Sequence, residues 1–144
     1  MTKLNISVEA NPAPADLDVI ERALVEHNEA RSEARNYTPL VIFLRNTEGT
    51  IVGGLRGVTV WGWLFVSQLW VAEELRGQDY GTKLMESAER EAIARQCHAA
   101  YVDTFSFLAL DFYQKVGYTV FGQLEDFPEG HIRYFLKKVF TLER

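Results

Sequence analysis

The chain has 144 residues, enough for one domain with a proper core. Apolar residues make up 47% and aromatic residues 12%, which excludes intrinsic disorder. The formal net charge of −5 argues against a nucleic-acid partner, which needs cationic patches, and is compatible with a cationic amine.

No apolar run is long enough to span a bilayer. The first five residues lead into no apolar leader core, and the one cysteine, Cys97, has no partner for a disulfide. A cytoplasmic protein without a membrane partner is expected. No His/Cys cluster has metal-ligand spacing, so no metal is expected.

Residues 4–8 alternate apolar and polar, as a half-buried strand does. Pro12 and Pro14 then break structure. Asp16 or Asp18 is expected to cap a helix through Val19, Ile20, Ala23, Leu24 and His27, continuing or restarting until Pro39. Residues 40–45 form an apolar run and read as a buried strand. Residues 46–49 have hairpin-turn chemistry. A strand over 51–60 follows, with Gly53, Gly54 and Gly57 weakening or bulging it. Trp61 and Gly62 turn the chain into a strand over 63–71.

Residues 80–96 carry Leu84, Met85, Ala88, Ala92 and Ile93 on one helical stripe. A strand is expected over 99–104 and a helix over 107–116, ended by Gly117. Strands over 118–124 and 132–139 close the chain around a polar loop. The order is β-α-β-β-β-α-β-α-β-β, a mixed α/β (α+β) sheet with helices packed on it. A single domain over 1–144 is expected.

The stretch from Leu69 to Thr82 carries the chemistry. An apolar strand (Leu69, Trp70, Val71) runs into a charged turn, then Arg76, Gly77, Gln78, Asp79, Tyr80, Gly81 and Thr82 open a helix. Helix N-termini carry unpaired N–H groups and partial positive charge, so they hold anions such as phosphate. Gly77 and Gly81 clear side chains from the approach, and Arg76 adds fixed positive charge. A P-loop is excluded, because Gly81-Thr82-Lys83 has the wrong order. A dinucleotide fingerprint is excluded, because only two glycines occur, in mid-chain.

Arg76-x-x-Asp79-x-Gly81 resembles the Gln/Arg-x-x-Gly-x-Gly/Ala cofactor motif of the GNAT N-acetyltransferase superfamily, with Asp79 in place of the first glycine. Downstream, Ala109-x-x-x-Tyr113-x-Lys115-x-Gly117-Tyr118 is similar to that family's Ala-x-x-x-Tyr-x-Lys-x-Gly-Phe/Tyr segment. The likeness covers roughly residues 40 to 140.

The resemblance implies a GNAT-type acyl-CoA N-acyltransferase fold and direct acetyl transfer from acetyl-CoA to a primary amine of a small molecule, peptide or protein. It implies that backbone groups of Arg76 to Thr82 hold the pyrophosphate and that Leu69, Trp70 and Val71 hold the pantetheine arm. The strand at 69–71 is then expected to splay from the next one. Tyr113 is implied as the general acid for the leaving thiolate. Ser106 stands where relatives carry an arm-binding Asn.

The general base is open. Asp103 either serves as one, caps the following helix or pairs with a basic residue, and the loop holding Glu125, Asp126, Glu129 and His131 is either catalytic or solvated. Trp61, Trp63 and Tyr101 line an acceptor pocket or pack in the core. A homodimer through the C-terminal strands is a family expectation. The rival readings are a non-catalytic CoA-binding or sensor module and a partner-binding domain without a cofactor.

Overall fold

The computed structural model describes residues 3–141. Met1 and Thr2, on which the expectation about a leader partly falls, and residues 142–144 lie outside it. The chain divides into two compact units, one through Arg35 and the other from Asn36.

The first unit is built on α1 (Pro14–Glu29). Neither Asp16 nor Asp18 is the N-cap. Pro14 opens the helix, Ala13 precedes it in an extended conformation, and Asp16 lies in the first turn. Proline is pre-set for a helix start and lacks the N–H that would go unpaired there, so the helix begins earlier than a side-chain cap would place it. Asp16 still complements the dipole. Beyond the helix, Glu29 accepts the Arg35 backbone N–H at 2.8 Å, and the Arg35 guanidinium pairs with Glu21 at 2.9 Å.

The expected strand over residues 4–8 is not one. These residues have no ladder pairing, and Leu4, Ile6 and Val8 are almost fully exposed. Alternation makes a segment fit for a strand, but only a neighbouring ladder makes it one. The observed order therefore begins with a helix.

The second unit is a six-stranded mixed sheet. Strands β1 (Thr38–Arg45), β2 (Ile51–Val60) and β3 (Trp63–Val71) form an antiparallel meander. Its first turn is held by Asn46, whose Oδ1 accepts N–H bonds from Glu48 and Thr50 at 2.9 and 3.0 Å. A 3₁₀ turn (Glu73–Leu75) and α2 (Tyr80–Ala94) then carry the chain to β4 (Ala99–Phe105), which runs parallel to β3. A parallel neighbour requires such a crossover. Helix α3 (Leu110–Lys115) leads to β5 (Thr119–Glu125) and β6 (Ile132–Val139). Strand β6 inserts between β4 and β5, giving the order β1-β2-β3-β4-β6-β5.

One face of the sheet carries the core. Leu40, Leu55, Leu64, Val66, Val102 and Leu136 meet Leu84, Met85, Ala88 and Ala92 of α2, together with Tyr113 and Tyr118. Arg95 locks the end of α2 to the meander. Its Nη1 donates to the carbonyls of Thr38 and Pro39 and to the Thr59 hydroxyl, while its Nε pairs with Glu91. Cys97 is buried near this corner, as a small apolar residue would be.

Candidate active site

The site grows from a fault in the sheet. Strands β2 and β3 pair evenly until a bulge: Gly57 faces Val66, but Arg56 faces Gln68, so Ser67 is the extra residue. The Ser67 hydroxyl donates back to the Arg56 carbonyl at 3.1 Å. A bulge bends its strand and increases its twist. On the other side of β3, pairing with β4 runs from Trp63↔Ala99 only to Val66↔Val102. Past that point the two parallel strands separate. Gly57 makes the bulge geometry feasible, since a Cβ there would stand 2.4 Å from the Phe65 carbonyl oxygen.

The gap is a cleft of about 660 Å³. Residues 67–71 of β3 form one wall, and Asp103, Thr104 and Phe105 of β4 form the other. Phe112 and Tyr113 of α3 close it on the core side. Successive residues of a strand direct their backbone groups to opposite edges. Ala72 N–H bonds to β2 at Val52, so the backbone groups of Val71 and Leu69 face the gap and those of Trp70 face β2. The Trp70 side chain lines the cleft.

At one end the cleft opens into a hollow of about 250 Å³ at the start of α2, and Val71, Arg76, Gly81 and Phe112 line both. Here the main chain forms an anion nest. Among the described residues, the N–H groups of residues 77–82 donate to no carbonyl, and the first bond into the helix runs from Lys83 to Asp79 at 3.0 Å. Six consecutive free donors at a helix start suit a diphosphate. The loop reaches this shape through left-handed backbone at Gly77 (φ +77) and Asp79 (φ 67). Asp79 occupies the N-cap position, but its carboxylate makes no capping bond, because left-handed backbone replaces the extended conformation that capping requires. The side chain is exposed. Arg76 Nε donates to the Val71 carbonyl at 3.0 Å, tying the loop to the strand. Gln78 donates to the Glu74 carbonyl at 3.3 Å.

Tyr113 is buried, yet its hydroxyl has no hydrogen-bond partner among the described residues and opens to the cleft. Burial, with the charge of Asp103 added, pushes its pKa up to about 12. Phe112 and Tyr118 pack edge-on against it.

Asp103 pairs with Arg133 at 2.8 Å, one of the three roles open to it. Ser106 turns away from the cleft: its hydroxyl accepts the Ile132 N–H at 3.1 Å and lies 3.4 Å from His131 Nδ1. Glu125 ends β5, paired with Ile132, and Asp126, Glu129 and His131 lie in the loop between β5 and β6; all four are exposed. Tyr101 stacks on Phe65 and meets Trp63 edge-on, on the face opposite the core. The bulge at Ser67 and the glycine opposite it were not singled out in the sequence as site features. Their trace there is a Ser-Gln pair inside an apolar strand.

Among the described residues, no group of three His, Cys, Asp or Glu side chains could hold a metal, and no helix is long and apolar enough to cross a membrane.

The acetyltransferase (GNAT) family matches residues 9–118. Acetyltransferase Atu2258 of Agrobacterium fabrum (strain C58 / ATCC 33970) is 40% identical over 121 residues, 84% of this chain and 88% of that protein. Blasticidin-S acetyltransferase of Streptomyces morookaense is 37% identical over 109 residues, 74% of this chain and 79% of that one. A crystal structure from Agrobacterium tumefaciens superposes with a TM-score of 0.88 at 36% identity, covering 95% of this chain and all of the other. The chain belongs to the GNAT family and is an acetyltransferase.

Proposed function

We propose that the protein transfers an acetyl group from acetyl-CoA to a primary amine of a small molecule within one ternary complex. The early end of β3–β4 pairing carries this reading, because it leaves one continuous path from the anion nest to the Tyr113 hydroxyl. The diphosphate of CoA would lie on residues 77–82, and the arm would run beside the Leu69 backbone and the Val71 N–H. The relative that acts on blasticidin S supports a small-molecule acceptor. The two units serve one transferase domain in this reading, since the family match runs across both.

In the reaction the amine nitrogen attacks the thioester carbonyl carbon. A C–N bond forms, the C–S bond breaks, and the nitrogen gives up a proton to solvent. Tyr113 gives its proton to the departing thiolate and regains one from water. Direct transfer is favoured because Cys97 is buried, with its thiol pushed up mainly by that burial, and so is a poor acyl-enzyme nucleophile.

Thermal unfolding with and without acetyl-CoA tests the reading first. At roughly a hundredfold excess over Kd the native state gains about 2.7 kcal/mol, a shift of several degrees. An unmoved Tm at millimolar acetyl-CoA would overturn it. Release of CoA thiol in the presence of amines then tests turnover.

A further inference from the structure

We propose that Asp103 anchors a second cationic group on the acceptor, so that the substrates are small molecules with at least two basic nitrogens. The inference rests on the transferase reading above and names its substrate class.

The cleft lies between two parted strands, so its lining draws on both faces of the sheet. The anion nest and Tyr113 lie on the core side of the sheet, where the donor enters. On β4 the buried Val102 and Thr104 alternate with Tyr101, Asp103 and Phe105, which face the other way. With the donor on the core side, we seat the acceptor on that opposite face. Asp103 is the carboxylate lining this larger cleft, and it is the first β4 residue past the last pair with β3.

Asp103 is only half used by its partner. Arg133 Nε and Nη2 both converge on Oδ1, at 3.0 and 2.8 Å. A fork-to-fork pair would have engaged both oxygens. Oδ2 takes no described partner. No buried side-chain oxygen among the described residues lacks one, so Oδ2 keeps accessible surface, on a residue that lines the cleft. Arg133 is held by the rings of Phe105, Phe127 and Phe135 at 5.6, 4.9 and 5.1 Å, which keeps it on Oδ1. The free oxygen is a fixed, part-buried acceptor for a cation.

The group it holds is not the nitrogen that reacts. A carboxylate against that nitrogen stabilises its protonated form, and only the neutral amine attacks. The anchored charge therefore belongs to a second group.

Matched acceptors test this: putrescine against butylamine, and p-xylylenediamine against benzylamine, followed by CoA thiol release. The diamine of each pair is expected to be preferred about tenfold or more in kcat/KM, beyond the statistical factor of two. Asp103→Asn should erase the preference by raising KM for the diamine far more than KM for butylamine. Arg133→Gln, which uncovers Oδ1, should lower the diamine KM. Equal treatment of diamine and monoamine by the unaltered enzyme overturns the inference, as does a preference that survives Asp103→Asn, a diamine KM unmoved in Arg133→Gln, or no transfer within either pair. Acetyl transfer without diamine preference leaves the transferase reading standing, whereas failure to bind acetyl-CoA removes both.

Discussion

A phenol held at about 12 keeps its proton at every pH where the enzyme works, and this sets what Tyr113 can do. It can donate to a developing thiolate, and it cannot act as the base. Tyr113→Phe keeps the ring packing against Phe112 and Tyr118 and removes only the donor. It should lower kcat about 10²-fold or more while leaving acetyl-CoA affinity nearly unchanged, which steady-state kinetics and a thermal shift read separately. In the pH profile, activity should climb as the acceptor amine loses its proton. No fall from Tyr113 ionisation should appear below about pH 11, since its pKa lies above that. A descending limb near pH 9 that vanishes in Tyr113→Phe would contradict the assignment.

At the scale of elements, the site depends on a bulge and on a crossover helix fixed in place. Gly57→Val puts a side chain into the Phe65 carbonyl, so the bulge must shift or the strands must part. A loss of about 1–3 kcal/mol is expected from overpacking, together with loss of the acetyl-CoA thermal shift. Arg95 acts at the far end of α2, away from the cleft. Arg95→Ala leaves two strand carbonyls and the Thr59 hydroxyl without their charged donor and should cost about 1–3 kcal/mol in urea unfolding, with kcat retained. The two variants separate geometry that serves the site from geometry that serves stability alone.

At the scale of the whole molecule, alkaline pH is the weak side. Tyr118 donates to Glu89 at 2.8 Å, and Lys138 pairs with the same carboxylate at 2.8 Å. Burial first, then the Glu89 charge and hydrogen bond, then Tyr113, push the Tyr118 phenol far up, and Tyr113 is raised as well. The folded state therefore holds protons that the unfolded chain releases above about pH 10. Stability is complete below that pH and falls as pH rises through the folded values. Tyr113 alone should remove about 2 kcal/mol by pH 12. Urea midpoints between pH 9 and 12 should show the decline, and Tyr118→Phe should flatten it.

Periodicity and turn chemistry were enough for the hairpin at Asn46, for the strands Ile51–Val60, Trp63–Val71 and Ile132–Val139, and for the start of α2, because each depends on neighbours close along the chain. The glycine-bearing loop after an apolar strand was legible for the same reason. Asp79 stands at the N-cap position, but its side chain makes no cap, since its left-handed backbone belongs to the loop as a whole. The alternation of residues 4–8 misled, because a strand needs a ladder that no local pattern supplies. The resemblance implies that β3 and β4 splay, but only the tertiary structure decided that they part after Val66, that Tyr113 keeps an unbonded hydroxyl in the gap, and that Arg133 leaves one oxygen of Asp103 without a partner. Each of these depends on residues distant in sequence meeting at set distances, and spacing along a single chain does not encode them.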